Sequence, residues 1–482
     1  MCEKVYFYDT INRGHETSEK EGPSLLKKND EITLTIDAMT AEGSGIGRHE
    51  GLAVFVPNTA VGDTVLCHII KAKKNYAVGK AFKIFTPSPD RVEPDCPVAA
   101  QCGGCCFRHV SYEAELRYKR QRVEDAFSRI AHLDAEVLPV LGPPDTLRYR
   151  NKAQFPVQLD RDQNPTFGFY AQNSHRVVPC EDCLLQPALF GDVLTVVRDW
   201  IIRRGITVYD EETRSGLLRH VYIRQGHYSK QLMVCLVVNG APSVSVPRVS
   251  FLTDALKETI PGFVSLSVNY NPSKTNVILG REEEVLYGDG YMEDTLLGRT
   301  FRVSPQSFYQ VNTPQAEVLY SLAADHAGLT GEEVLLDLYC GTGTIGLTMA
   351  DRCKHLYGVE IVADAVEDAR RNAAANGVTN ATFLCGDAAD AAARLKADGV
   401  KADVVLVDPP RKGLSEQLIE TIADLDPQRV VYISCDPATL ARDCARFADK
   451  GWHIAAPVRP VDLFPRTAHV ETVVLMSRVD GK

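Results

Sequence analysis

The sequence predicts an α/β protein in three parts: a small N-terminal β-barrel, a central α+β region and a C-terminal doubly wound, Rossmann-like domain. Three observations carry this. From about residue 306, strand-like apolar runs alternate with helical stretches up to the C-terminus. One of those runs, Val334-Leu335-Leu336-Asp337-Leu338, feeds the glycine-rich turn Cys340-Gly341-Thr342-Gly343-Thr344-Ile345-Gly346. Near the other end, short alternating runs are separated by glycine turns, the pattern of a small barrel.

Residues 1–27 are polar and without periodicity, and a disordered tail is expected there. Over 28–86, Glu31–Asp37, Leu52–Val56 and Asp63–Ile70 read as strands, with a turn at Gly43–Arg48. Pro87, Pro89 and Pro94 open a cysteine-rich loop that runs to 109. Residues 110–135 are charged and carry Leu116, Val123, Phe127 and Ile130 at helical spacing, which predicts a surface helix packing on the catalytic domain. Residues 136–305 mix strand-like runs, such as Gln231–Val238, with short helices and form the central domain. Residues 306–482 are the doubly wound domain. No internal repeat is evident.

The formal charge of −10 argues against a uniformly basic nucleic-acid binder, but local patches matter more than totals. Basic clusters interleaved with aromatics occur at Lys71–Tyr76, Arg117–Arg122 and Arg148–Lys152. No apolar run is long enough to cross a bilayer, and the N-terminus lacks the apolar core of a signal peptide. A cytoplasmic address is therefore expected. In that setting 14 cysteines point to metal binding or catalysis rather than disulfides. Four of them, Cys96, Cys102, Cys105 and Cys106, crowd one loop, and Cys180 and Cys183 form a C-x2-C pair.

Gly341-x-Gly343-x-x-Gly346, followed one βαβ unit later by Glu360, suits a nucleotide-containing cofactor. The glycines let backbone approach the ligand, and the acid accepts ribose hydroxyls. Both NAD and S-adenosylmethionine satisfy that pattern. Two more strand tips add chemistry: Val404–Val407 ends in Asp408-Pro409-Pro410-Arg411, and Val430–Ile433 ends in Ser434-Cys435-Asp436-Pro437. The Asp-Pro-Pro turn favours S-adenosylmethionine, because it has no place in the dinucleotide fingerprint.

These motifs, with Ser304-Pro305-Gln306-Ser307-Phe308-Tyr309-Gln310-Val311-Asn312 and Phe464-Pro465-Arg466-Thr467-Ala468-His469-Val470-Glu471, carry a resemblance. From about residue 28 onward the chain resembles the RNA uracil-C5 methyltransferases. The barrel looks like the TRAM module of the ribosomal-RNA branch, and the cysteine loop looks like that branch's [4Fe–4S] site.

The resemblance implies a reaction. Uracil C5 is a poor nucleophile, so a thiolate first adds to C6, the methyl group passes to C5, and a base removes the C5 proton. Cys435 is the expected nucleophile, which the site must activate, and Glu471 the expected base. His469 ranks second, as it would share a strand face with Glu471. Gln310, Tyr339, Glu360, Asp408 and Asp387 are expected to hold S-adenosylmethionine, while Asp337 reads as structural. Cys96, Cys102, Cys105 and Cys183 match the cluster ligands, leaving Cys106 and Cys180 surplus. The expected partner is RNA, with 23S ribosomal RNA ahead of transfer RNA, and the expected state a monomer. The alternatives from other classes are a non-catalytic RNA-binding module and an NAD-linked oxidoreductase.

Overall fold

The computed structural model describes residues 26–478, so the expected tail lies outside the described residues except for its last two positions. The barrel comprises β1 (Glu31–Met39), β2 (Gly45–His49), β3 (Leu52–Val56), β4 (Thr64–Ala72) and β5 (Tyr76–Thr86). It closes in the order β1-β2-β3-β5-β4. The expected turn at Gly43–Arg48 is mostly strand β2. Its glycines serve packing rather than turning: a Cβ on Gly45 would lie 2.1 Å from Thr59 Oγ1, and one on Gly47 2.1 Å from Leu34 Cδ1. Strand β5 is hidden in the sequence because it leaves Phe82 and Phe85 exposed, which breaks the apolar alternation. Lys83 sits over the Phe85 ring, so β5 presents charge and aromatic surface together.

Helix α1 (Tyr112–Ala126) starts where Ser111 Oγ accepts a hydrogen bond from Ala114 N at 3.3 Å, with Glu113 and Glu115 in its first turn. Its buried face is not the expected apolar stripe. Glu115 and Lys119 are buried alongside Ala114, Val123 and Ala126. Ile130 is exposed because the helix passes into a π-helical turn over Phe127–Ala131, whose extra residue rotates the stripe.

The central domain is a seven-stranded sheet. It contains β6 (Lys152–Leu159), β7 (Pro165–Tyr170), β8 (Val177–Pro179), β9 (Leu218–Gln225), β10 (Leu232–Val238), β11 (Phe263–Tyr270) and β12 (Glu282–Tyr287), ordered β12-β11-β10-β9-β6-β7-β8. Helices α2 (Leu189–Arg204) and α3 (Val249–Thr259) belong to it. β10 is buried along its whole length because it serves two cores. Leu232, Val234 and Leu236 pack with α2 and α3, while Met233 and Cys235 join the core of the next domain. A hairpin, β13 (Met292–Leu296) and β14 (Arg299–Val303), leads onward.

The C-terminal domain runs α4 (Thr313–Ala327), β15 (Val334–Leu338), α5 (Thr344–Met349), β16 (His355–Glu360), α6 (Ala363–Ala375), β17 (Ala381–Cys385), α7 (Ala388–Ala397), β18 (Val404–Val407), α8 (Glu416–Leu425), β19 (Arg429–Ser434) and α9 (Pro437–Ala448). It ends with β20 (Trp452–Ile454), β21 (Arg459–Val461) and β22 (Glu471–Arg478). The sheet order is β17-β16-β15-β18-β19-β22-β20, with β21 also on β22. Strands β15 to β19 are parallel, as the alternating pattern predicts. After α9 the expected alternation stops, and β22 inserts antiparallel beside β19. No helix among the described residues is long and apolar enough to cross a membrane.

Candidate active site

Strand order reverses between β15 and β18, and a doubly wound sheet opens its ligand crevice at that point. The glycine loop follows β15. Gly341 and Gly343 adopt φ of +56° and +82°, values that suit glycine. Gly346 lies so close to the sheet that a Cβ would stand 2.7 Å from Asp337 Oδ2 and 2.9 Å from Leu356 Cδ1. Glu360, at the tip of β16, accepts from Gly341 N at 3.2 Å and from Val362 N at 2.9 Å. Its carboxylate therefore faces the loop that a ribose would adjoin. Tyr339 takes a left-handed φ of +69° and lies within electrostatic reach of Glu360 and Asp387. Asp387 also caps α7, accepting from Ala389 N at 2.9 Å, so part of its role is architectural.

The antiparallel strand sets the other half of the site. β19 and β22 pair with Ser434 opposite Thr472. Continuing that register by one residue sets Cys435 across from Glu471. Asp408, at the tip of neighbouring β18, lies within electrostatic reach of both. Burial and Asp408 push the Glu471 carboxyl up to about 8, against the opposing pull of Arg411. Burial alone pushes Asp408 up to about 7. The thiol of Cys435 is pushed up to about 12 by burial and then by Glu471 and Asp408, while Arg411 again pulls down. Burial and the neighbouring acids thus favour the protonated thiol at Cys435.

Arg411 is the group that sequence reasoning missed, although it closes the Asp-Pro-Pro-Arg motif. It faces His469 at 3.4 Å and is the cation acting on both Cys435 and Glu471. Arg122, from α1, also reaches Cys435 and Asp436 electrostatically and donates to Ala468 O at 2.8 Å. His469 lies outside β22, in the loop before it, so it shares no strand face with Glu471. Burial and the surrounding arginines push its imidazole down to about 3, which leaves it neutral.

Gln310 is buried; its carbonyl accepts from Asn151 Nδ2 at 2.8 Å and its side chain bonds the Tyr320 hydroxyl. Tyr320 in turn senses Asp408 and Glu471, so it joins the same cleft, a placement invisible in the sequence. Asp337 accepts from Gly346 N at 3.0 Å, and burial pushes it up to about 8, fitting a structural acid that keeps its proton.

The loop carrying Phe464 to His469 is held from α1. The Lys119 ammonium donates to Glu115 Oε1 and to Asp462 Oδ1, both at 2.7 Å, and to Phe464 O at 3.3 Å. Tyr112 Oη donates to Asp462 Oδ2 at 2.8 Å, and Arg466 N donates to Glu115 Oε1 at 2.7 Å. The cysteine loop grips the same segment, with Cys106 N and Phe107 N donating to Arg466 O at 3.0 and 3.2 Å.

That cysteine loop lies against the central sheet. Gly103 N donates to Tyr170 O at 3.0 Å, and the crossing is tight enough that a Cβ on Gly103 would sit 3.0 Å from that oxygen. Cys102 senses Cys183 and Cys96, and Cys105 senses Cys183 and Cys102. The four expected ligands therefore gather in one neighbourhood. Among the described residues, no three His, Cys, Asp or Glu side chains stand as they would around a metal ion. The donor chemistry nevertheless suits a thiolate-bound group. Gly104 N donates to Cys102 Sγ at 3.4 Å, and Arg108 bonds Cys105. A hydrogen bond shared with Cys180 lowers the thiol of Cys183 and raises that of Cys180. Cys106 points elsewhere, into a small core with Phe107, Val110 and Met39 that joins loop to barrel.

Residues 276–479 match the tRNA (Uracil-5-)-methyltransferase family, and residues 26–82 match the TRAM domain. Over 95% of its length the chain is 43% identical to an uncharacterized RNA methyltransferase of Halalkalibacterium halodurans, spanning 99% of that protein. It is 42% identical over 94% of its length to another from Staphylococcus aureus, again spanning 99% of the relative. Among solved structures, the Pyrococcus abyssi tRNA (uracil-54, C5)-methyltransferase in complex with S-adenosyl-L-homocysteine superposes with a TM-score of 0.74. It is 27% identical and covers 92% of this chain and 99% of its own. Fold, cleft and relatives together define an S-adenosylmethionine-dependent methyltransferase acting on RNA. The chain belongs to the RNA uracil-5-methyltransferase family and carries an N-terminal TRAM domain.

Proposed function

We propose that the protein forms 5-methyluridine in 23S ribosomal RNA, with Cys435 as nucleophile and Glu471 as base. The observation that supports the assignment is that Cys435 and Glu471, each one residue beyond the last β19–β22 pair, lie within electrostatic reach of one another and of Asp408. Cys435 sulfur adds to uracil C6, giving an enolate. C5 takes the methyl group from the sulfonium, and S-adenosylhomocysteine leaves. Glu471 then takes the C5 proton, and the C–S bond breaks to restore the thiolate. Glu360 and Tyr339 would hold the ribose side of the cofactor, Asp387 the adenine side, and Gln310 and Asp408 its amino-acid and reacting end. Arg411 would favour the thiolate and offset the negative charge of the cleft. One chain supplies every residue named, and we read the enzyme as a monomer.

A second reading, methylation of transfer RNA, is favoured by the structural similarity to the Pyrococcus abyssi enzyme, which covers 92% of this chain. Assays with unmodified transcripts of both RNAs, followed by mapping of 5-methyluridine, decide the matter. We expect incorporation into 23S RNA at least about tenfold faster than into transfer RNA, a difference of about 1.4 kcal/mol in barrier. Equal or reversed rates would favour the second reading.

The cysteines would hold a [4Fe–4S] cluster through Cys96, Cys102, Cys105 and Cys183. On the family resemblance Cys180 would stay outside the ligand set, while it too lies within electrostatic reach of Cys96 and Cys102. The expected outcome is that Cys183→Ser loses iron and the brown absorbance, while Cys180→Ser and Cys106→Ser keep both. Iron analysis and visible spectra after anaerobic purification check this. Zinc without iron in the native protein would end the cluster assignment, and bleaching by Cys180→Ser alone would exchange the two roles.

A further inference from the structure

A cavity of about 240 Å³ lies beside the active site in the central domain. Arg148, Arg150, Asn151, Gln225, His227 and Lys230 line it, with Tyr149 and Pro187 as apolar wall. None of these is among the residues assigned to chemistry, cofactor or cysteine cluster. The cavity nevertheless adjoins the site in three places. Tyr149 Oη donates to Pro465 O at 3.0 Å, Arg150 stands 6.0 Å from the Phe464 ring, and Asn151 Nδ2 donates to Gln310 O at 2.8 Å.

Two buried polar atoms of its lining have no partner in the protein. Asn151 is 4% exposed, and its Oδ1 has no hydrogen-bond partner. The Nε of Arg150 is likewise buried and unpartnered. Buried polar atoms are rarely left so, because each costs about 1–3 kcal/mol. Positive charge is in excess here. Arg148 is paired with Asp182, and the backbone of His227 donates to Asp294 at 2.8 Å, while Arg150 has no ion pair among the described residues. Next along the chain, half-buried Lys152 has its ammonium lowered to about 7 by burial first and then by the cations Arg224 and Arg150. An anion is therefore favoured, and the acceptor on Asn151 asks for an N–H donor. The volume falls below the roughly 300–1,000 Å³ of ordinary ligand pockets. It has room for one nucleotide-sized group and none for a duplex.

We propose that this cavity binds a second, unmethylated nucleotide of the RNA substrate, splayed out beside the target uridine. Its base lies against Tyr149 and donates an N–H to Asn151, and its phosphate is held by Arg150, His227 and Lys230. The proposal rests on RNA being the substrate. It adds that recognition takes two unstacked nucleotides and not only the reacting one. Single-stranded loops, whose bases can be splayed, are the RNA elements that such pockets read.

The test uses the full-length holoenzyme with unmodified 23S and transfer-RNA transcripts, measuring RNA affinity at several salt concentrations. For the transcript bound better by wild type, Lys230→Gln with His227→Ala should bind roughly tenfold or more weakly, as removal of a charge-assisted hydrogen bond implies. The slope of log affinity against log salt should become shallower by about one for each phosphate no longer held. S-adenosylmethionine affinity should not change. Unchanged RNA affinity and slope would overturn the proposal. If the double variant loses cofactor binding as well, Lys230→Gln alone and Lys230→Arg decide. Loss in the first with recovery of slope in the second supports the pocket, and any other pattern overturns it. Failure of wild type to bind either transcript would instead remove the RNA reading itself, and this proposal with it.

Discussion

Cys435→Ser should abolish turnover, reducing it by at least about a thousandfold. The reason lies in the electronics of uracil rather than in the stability of the fold. Without a soft nucleophile on C6, C5 carries too little electron density to attack a sulfonium. A serine hydroxyl, half-buried and flanked by Glu471 and Asp408, is harder still to ionise than the thiol that burial and the same neighbours push up to about 12. RNA carrying 5-fluorouracil at the target should form a covalent complex with the native enzyme, because fluorine cannot leave as a proton. The complex should survive denaturing electrophoresis and be missing with the serine variant. Cofactor affinity should be kept, since Cys435 is separate from the glycine loop and Glu360. A serine variant that turns over near the native rate would remove Cys435 from the mechanism.

Glu471→Gln should fail later, and visibly so. Attack and methyl transfer precede removal of the C5 proton, so this variant should accumulate methylated RNA still bonded to Cys435, with turnover lowered on the order of 10²–10⁴-fold. Rapid product release without an adduct would pass the role to His469 or to water. The native enzyme should also show the base in its pH profile. With Glu471 raised to about 8, the carboxylate fraction grows about tenfold per pH unit below that value. Thus kcat/KM, which reports the free enzyme, should climb between pH 6 and 8 and then level with respect to this group. The same shift acts on stability in the opposite direction. Between the ordinary carboxylate range and about 8 the folded state holds a proton that the unfolded chain has released. The stabilisation is complete at low pH and is lost as pH rises through about 8. Asp408 and Asp337, raised to about 7 and 8, add to it. Calorimetry of the cofactor-free protein should show its melting temperature falling from pH 5 to pH 8, and a flat profile would mean that these acids are not held protonated.

The parts of this site legible in the sequence are those that local pattern controls. Strand tips ending in Glu360, Asp408 and Cys435 follow apolar runs whose length and spacing specify a parallel sheet. What pattern cannot give is the antiparallel insertion of β22, since an apolar strand reads the same in either direction. Glu471 is therefore reached by resemblance, while its position opposite Cys435 comes from register. Arg411 and Arg122 are hidden for a different reason. A charged residue after Pro-Pro, or on a helix, reads as solvated. Arg411 is indeed exposed and Arg122 is half-buried, and their reach toward Cys435 depends on the fold alone. The same limit applies to α1, where Glu115 and Lys119 read as surface charges but compensate each other in the interior. The glycines of β2 mislead in the other direction, because small residues needed for close packing look like residues needed for turning.

The buried ammonium of Lys119 joins residues separated by 343 positions when it binds Asp462. The contact ties α1 to the segment that leads into β22. A chain cut before Asp462 would leave the Lys119 ammonium with Glu115 as its carboxylate partner, and would lack both the strand that pairs with β19 and the proposed base. Such a cut should remove turnover on the proposed reading even though the glycine loop and Glu360 lie upstream of it.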